Sequence, residues 1–240
     1  MLANLLLTSA HEDLNVWNTE LRPYGLAPMH VPMFEICLDR EMCQLAINTQ
    51  IADPSFLIVT SQYAAAALPL SYYQQFTHIF VIGQTTAAHL PQGAALPIVC
   101  PFPTATSESL LTYILTCALP KQVILLQGKN ARPYLSQQLA GHGFLVQQYC
   151  VYERVPRKTL PDTLLERIQT KMLPYLWFTS RSASEIFWEL FPETYRQQCL
   201  ASCILCVGSP RIAAFWNDYG SVKIASAPTR QALLALLNGA

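Results

Sequence analysis

Hydroxyl side chains recur where short apolar runs end. Thr8-Ser9 follows Leu5-Leu6-Leu7, Thr60-Ser61 follows Phe56-Leu57-Ile58-Val59, and Thr85-Thr86 comes just after Val81-Ile82-Gly83. Thr179-Ser180 with Ser182 follows Leu176-Trp177-Phe178, and Gly208-Ser209 follows Cys206-Val207. Turns of this kind expose backbone N–H groups at helix starts, which bind anions without a formal positive charge. The same hydroxyls also serve as plain helix caps. A further turn, Gly128-Lys129-Asn130-Ala131-Arg132, adds two cations to the pattern and suits carboxylates, with a solvated loop as the competing explanation. Tyr152, in Tyr149-Cys150-Val151-Tyr152-Glu153-Arg154, places a phenol on an extended run, either as a packed strand aromatic or as a polar handle.

Several other chemistries are missing. No G-x-G-x-x-G follows a strand, Gly128-Lys129 lacks the upstream glycine of a phosphate loop, and no G-x-S-x-G elbow is present. Cys203 and Cys206 have the spacing of a metal or redox pair, but residues three apart on a strand face opposite sides, so two buried thiols are expected. His11, His30, His78, His89 and His142 are scattered without ligand spacing. Neither a metal nor an organic cofactor is expected. The balance of 15 Lys+Arg against 15 Asp+Glu gives no basic field for nucleic acid or an anionic membrane. No Lys or Arg precedes Arg22, as a secretory leader would require, and no apolar run approaches the roughly 18 residues of a membrane span. A cytoplasmic protein is expected, with its eight cysteines reduced.

The elements that position these residues follow from composition and periodicity. At 52% hydrophobic and 12% charged, the chain suits parallel sheets buried on both faces by helices. Short apolar runs leading into amphipathic stretches are β-turn-α units. The units echo one another: Phe56–Ser61 with Ala64 recurs as Leu176–Ser180 with Ala183, Val81-Ile82-Gly83 as Cys206-Val207-Gly208, and the Thr106 helix start as that at Thr229. Leu5–Thr8, a helix and Gly25 match Ile124–Gly128, a helix and Gly143. Each of these leads into a longer extended run, His30 to Leu38 and Gln147 to Val155. Tandem duplication of one α/β domain accounts for the pattern, and the facing turns of two such domains would line an anion-binding cleft. Periodicity leaves open whether the first quarter packs with the second or the fourth.

The Thr-Ser turn with Ala64, Ile82-Gly83-Gln84-Thr85-Thr86-Ala87, the Leu-Leu-Gln-Gly128 turn with Arg132, Val151-Tyr152 before Arg154-Val155, Phe178-Thr179-Ser180, Val207-Gly208 and the closing Ala227-Pro228-Thr229 helix together resemble the uroporphyrinogen-III synthase family across essentially the whole chain. The resemblance implies two similar doubly wound α/β domains, a discontinuous one from 1–31 plus 157–240 and an inserted one at 39–147, joined by linker strands 32–38 and 148–156. It implies a cofactor-free, monomeric hydro-lyase that closes hydroxymethylbilane with loss of water and inverts its terminal pyrrole. Tyr152 would be its catalytic polar group. The substrate's carboxylates would meet Thr8, Ser9, Thr60, Ser61, Thr85, Thr86, Gly128, Lys129, Arg132, Thr179, Ser180, Ser182, Gly208 and Ser209. A transient contact with the preceding enzyme of the pathway is a further expectation. Two places depart from the family's pattern: Thr8-Ser9-Ala10 stands where Thr-Arg-Pro is common, and Gly208-Ser209-Pro210-Arg211-Ile212 where Gly-Pro-Thr-Thr-Ala is common. Arg211 is therefore a substitute carboxylate partner. The alternative is a noncatalytic tandem α/β protein that binds tetrapyrroles or anions without turnover.

Overall fold

Alternation of apolar side chains across short strands builds two sheets, each buried on both faces. The computed structural model describes residues 4–51, 55–76, 78–95, 98–99, 106–196 and 200–238. The chain divides into one unit of Met1–Glu35 with Val155–Ala240 and a second of Ile36–Arg154.

In the first unit, β1 (Leu5–Leu7), β2 (Pro28–His30), β9 (Tyr175–Phe178), β10 (Ile204–Val207) and β11 (Ser221–Ile224) lie in the order β11-β10-β9-β1-β2. All are parallel. Leu6, Leu176, Phe178, Leu205 and Val207 face one core with Phe187 and Trp216, while Leu5, Leu7, Trp177 and Cys206 face the other with Trp17 and Leu233. Helices thus cover both faces, as a buried parallel sheet requires. Cys206 on β10 and Cys203, just before it, belong to these opposite cores, and neither forms a disulfide.

The second unit contains β3 (Phe34–Leu38, from Ile36 onward), β4 (Ser55–Val59), β5 (Ile79–Val81), β6 (Ile98–Val99), β7 (Gln122–Gly128) and β8 (Leu145–Pro156, as far as Arg154), in the order β3-β8-β7-β4-β5-β6. From β8 to β6 the pairing is parallel. Leu57, Val59, Ile124 and Leu126 face one core, and Phe56, Ile58, Val123 and Leu125 the other. The repeats now acquire a spatial meaning. The run β4-β5-β6 takes the place of β9-β10-β11, and β7-β8 that of β1-β2, so the sheets share one strand order with the chain permuted. In each, succession reverses direction between two central neighbours: β1 and β9 in the first unit, β7 and β4 in the second.

The extended run expected from His30 to Leu38 is broken. Val31 and Met33 donate to Leu7 O (3.0 Å) and Thr8 O (3.1 Å), and Pro32 between them, with no N–H to give, separates β2 from β3. The Gln147–Val155 run lies wholly within the longer strand β8. Asp39 N donates to Val151 O (3.0 Å) and Arg157 N to Met33 O (2.9 Å), so residue numbers rise on one strand as they fall on the other and β3 is antiparallel to β8. The chain changes unit within these two strands, which are also sheet members.

A buried defect sits in the second unit. Tyr73 shares its hydroxyl proton between Ala64 O (3.1 Å) and Ala65 O (2.9 Å), whereas the buried Tyr72 hydroxyl has no partner among the described residues. Replacing Tyr72 by Phe should therefore raise stability by about 1 kcal/mol, since an unpaired buried hydroxyl is costly. Equilibrium urea unfolding measures this, and a destabilised variant would contradict it.

Candidate functional site

In open α/β sheets ligands gather beyond the carboxyl ends of strands where succession reverses. In the second unit that place is formed by the turns after β4 and β7. Thr60 links the two strands, its hydroxyl donating to Leu126 O (3.2 Å). Ser61 caps the Gln62–Ala65 helix by accepting from Ala64 N (3.2 Å). Lys129 N donates to Tyr152 O (2.8 Å), so this amide belongs to the sheet and not to an anion site. The cationic side chains are both exposed and ion-paired: Lys129 to Glu153 at 3.3 Å and Arg132 to Glu108 at 3.1 Å. A backbone hydrogen bond at its helix start lowers the Glu108 carboxyl, and Arg132 and the Thr106 hydroxyl reinforce that. A carboxylate arriving here would compete with the glutamate already paired to each cation. Tyr152 is 7% exposed, with its ring against the Gly128 backbone and its ring centroid 5.4 Å from that of Tyr63. One strand over, Thr85 is exposed, while Thr86 is buried with its hydroxyl on Ile82 O (2.8 Å).

In the first unit the corresponding turns follow β1 and β9. Thr8 is fully buried, its hydroxyl donating to Trp177 O (2.7 Å) and tying β1 to β9. Ser9 hydrogen-bonds Glu12, whose other carboxylate oxygen accepts from the Trp17 indole (2.6 Å). The His30 Nε2 lies 2.7 Å from Ser9 O; a carbonyl only accepts, so this nitrogen carries a proton. Ser180 caps the Arg181–Leu190 helix through Ala183 N (3.2 Å), the same bond at the same length as in the other unit. Thr179 is half-buried and Ser182 exposed. After β10, Ser209 makes no side-chain cap bond and Arg211 is exposed. Gly208 is buried against Pro228.

Two expectations are thereby corrected. Thr8 and Thr86 hold strand and helix ends from buried positions and offer no hydroxyl to a ligand, because a neighbouring carbonyl takes each proton. Ser61 and Ser180 act as caps, and Thr60 as an interstrand tie. As caps Ser61 and Ser180 accept and keep their own O–H protons, so the side chains left with donor capacity are Ser61, Thr85, Lys129 and Arg132 in one unit, and Thr179, Ser180, Ser182, Ser209 and Arg211 in the other.

Sequence reasoning missed Glu12 and Tyr63. Ser9-x-x-Glu12 has capping-box spacing, which flags Glu12, although the cap of the Leu14–Leu21 helix is Asp13, accepting from Asn15 and Val16 N. Tyr63 occupies the place of Ser182 in the echoed turn, and that contrast marked it. Among the described residues no group of three or more His, Cys, Asp or Glu is placed to hold a metal, and no helix is long and apolar enough to cross a membrane.

The family model described as uroporphyrinogen-III synthase HemD matches residues 15–235. The chain is 27% identical over 229 residues to the uroporphyrinogen-III synthase of Escherichia coli strain K12, covering 91% of this chain and 93% of that one. The Salmonella typhimurium enzyme of that name matches with the same identity and coverage. Among solved structures, the uroporphyrinogen-III synthetase of Helicobacter pylori 26695 superposes with a TM-score of 0.59 at 18% identity, covering 99% of each chain. A mutant uroporphyrinogen III synthase of the extreme thermophile Thermus thermophilus gives 0.56 at 16% identity, covering 99% of this chain and 97% of that one. At such identities the structural likeness shows the shared two-sheet α/β fold.

Proposed function

The chain belongs to the uroporphyrinogen-III synthase family, and from that premise we propose that it closes hydroxymethylbilane to uroporphyrinogen III, as a hydro-lyase needing no cofactor. The observation that carries the reading is a phenol, Tyr152, seated against the Gly128 turn where strand succession reverses. The family match over most of the chain favours turnover above the noncatalytic binder.

The chemistry asks little covalent work of the protein. The bond from the hydroxymethyl carbon to oxygen breaks, the oxygen leaves as water with an added proton, and a pyrrole nitrogen supplies the electron pair that makes the azafulvene. The substituted carbon of the far pyrrole attacks it to form a spiro intermediate, whose fragmentation and reclosure invert that ring. Tyr152 donates a hydrogen bond to the departing oxygen, as a general acid or through an ordered water. Because the substrate also closes unaided to the uninverted isomer, most of the protein's task is to hold the chain ends for the less accessible attack. For carboxylate arms the second unit offers Lys129 and Arg132 with the hydroxyls of Ser61 and Thr85, and the first unit, at its own strand ends, Arg211 with the hydroxyls of Thr179, Ser180, Ser182 and Ser209. A cytoplasmic monomer receiving its substrate in transient contact with the preceding enzyme completes the reading.

Hydroxymethylbilane generated in situ, followed by oxidation and separation of isomers, tests the assignment. Isomer III is expected; isomer I alone would overturn it. Exhaustive chelation and dialysis should leave the rate unchanged, because the scattered histidines offer no ligand set. A loss restored by one metal would contradict the cofactor-free mechanism.

A further inference from the structure

The pairing of β7 with β8 slips by one residue at Gly128. Gln127 pairs with Cys150, but Gly128 pairs with Tyr152, so Val151 and Tyr152 together oppose one residue of β7. This is a β-bulge, a device that re-aims side chains beside functional sites. Its effect is visible in the burial. Tyr149 and Val151 face one core by regular alternation; Tyr152 should face the other way, yet it joins the same core. The extra residue is satisfied elsewhere, since Val151 O accepts from Asp39 N (3.0 Å), and the ladder resumes with Lys129 N to Tyr152 O (2.8 Å).

The turned ring has a seat that only glycine can provide. A Cβ at Gly128 would lie 2.7 Å from Tyr152 Cζ and 2.9 Å from its hydroxyl oxygen. Ordinary contact between carbons is about 3.5–4.0 Å, so any side chain there drives the phenol back by about 1 Å. The ring also meets that of Tyr63 edge-on, with centroids 5.4 Å apart and planes at 61°. We infer that Gly128 and Tyr63 are positioning residues of the cyclisation: the bulge turns Tyr152 toward the strand end, the bare Gly128 backbone sets the depth of its hydroxyl, and Tyr63 holds the ring's tilt. This rests on the synthase reading and on the role of Tyr152 within it, and it gives Gly128 a task distinct from carboxylate binding.

The test is a double-mutant cycle on the full chain, with hydroxymethylbilane generated in situ and kcat, KM and the isomer III fraction measured. Gly128→Ala should lower kcat about 10- to 100-fold, the scale on which a 1 Å misplacement acts, with KM within about twofold. In a Tyr152→Phe background the same change should lower kcat by less than about twofold, because the misplaced hydroxyl is already gone. Tyr63→Leu should behave likewise, which keeps the test alive if the alanine variant fails to fold by circular dichroism. A merely structural role predicts equal losses in both backgrounds. Additive losses, or wild-type kcat in both Gly128→Ala and Tyr63→Leu, would overturn the inference while wild-type isomer III leaves the synthase reading standing. Isomer I alone from the unmodified protein would overturn both.

Discussion

Tyr152→Phe should lower kcat about 10- to 100-fold with KM nearly unchanged and the unfolding midpoint within a degree or so of the parent. The ring of Tyr152 supplies its packing, against the Gly128 backbone and the edge of Tyr63, and phenylalanine keeps that ring. What the variant loses is the one polar atom the bulge brings to the Gly128 turn. If that atom hydrogen-bonds the leaving hydroxyl, its interaction grows as the carbon–oxygen bond breaks, so the loss falls on kcat rather than on ground-state binding. Residual activity is expected, because chain-end positioning still operates without the phenol. The isomer III fraction should fall as the unaided route competes with a slower enzyme. Wild-type kcat in the phenylalanine variant would make Tyr152 a packing residue and nothing more.

The second large effect concerns Gly208, where Gly208→Ala should cost about 3 kcal/mol of stability through overpacking. An added Cβ would lie 2.5 Å from Pro228 Cβ and 2.6 Å from Pro228 Cα. The obstacle is backbone and a rigid ring, so it cannot rotate away as the end of a long side chain would. Both sides are also anchored. Gly208 N donates to Phe178 O (3.1 Å) and Ala225 N to Val207 O (2.8 Å). Beyond Pro228, Thr229 accepts from Ala232 N (3.3 Å) and so fixes the start of the Arg230–Asn238 helix. Gly141→Ala is the natural control: its Cβ would meet nothing within 4 Å, so the change should be neutral or slightly stabilising at a helix end. Urea unfolding of the two variants measures the contrast. Equal stability of the Gly208 variant and the parent would refute the crowding argument.

Much of this protein was legible locally. The capping turns at Thr60-Ser61 and Thr179-Ser180 were visible as an echo in the chain because a cap joins residues three apart, and the bonds to Ala64 N and Ala183 N are both 3.2 Å. The separation of Cys203 and Cys206 into opposite cores agrees with strand alternation, although Cys203 sits one residue before β10. The α/β class followed from apolar runs and helical stretches in sequence. These features depend on neighbours a few residues away, so periodicity and residue type determine them.

Side-chain fates at the strand ends could not be read that way. Thr8 and Thr179 close neighbouring strands with the same residue type, yet Thr8 is buried because β9, 169 residues along the chain, brings Trp177 O to its hydroxyl, while Thr179 remains half-buried. Lys129 and Arg132 looked like free cations until the fold brought Glu153 and Glu108 beside them. The two glycines that close echoed strands also differ in purpose: Gly83 has a left-handed φ of 81°, whereas Gly208 makes room for Pro228. The slip at Gly128 turns Tyr152 onto the face that strict alternation assigns to Val151. The sequence by itself determined the elements, their caps and their repetition, because those energies are local. Strand order, the bulge, and the pairing or burial of each polar group were decided only by tertiary structure, because each depends on which distant backbone or side chain arrives within hydrogen-bonding distance.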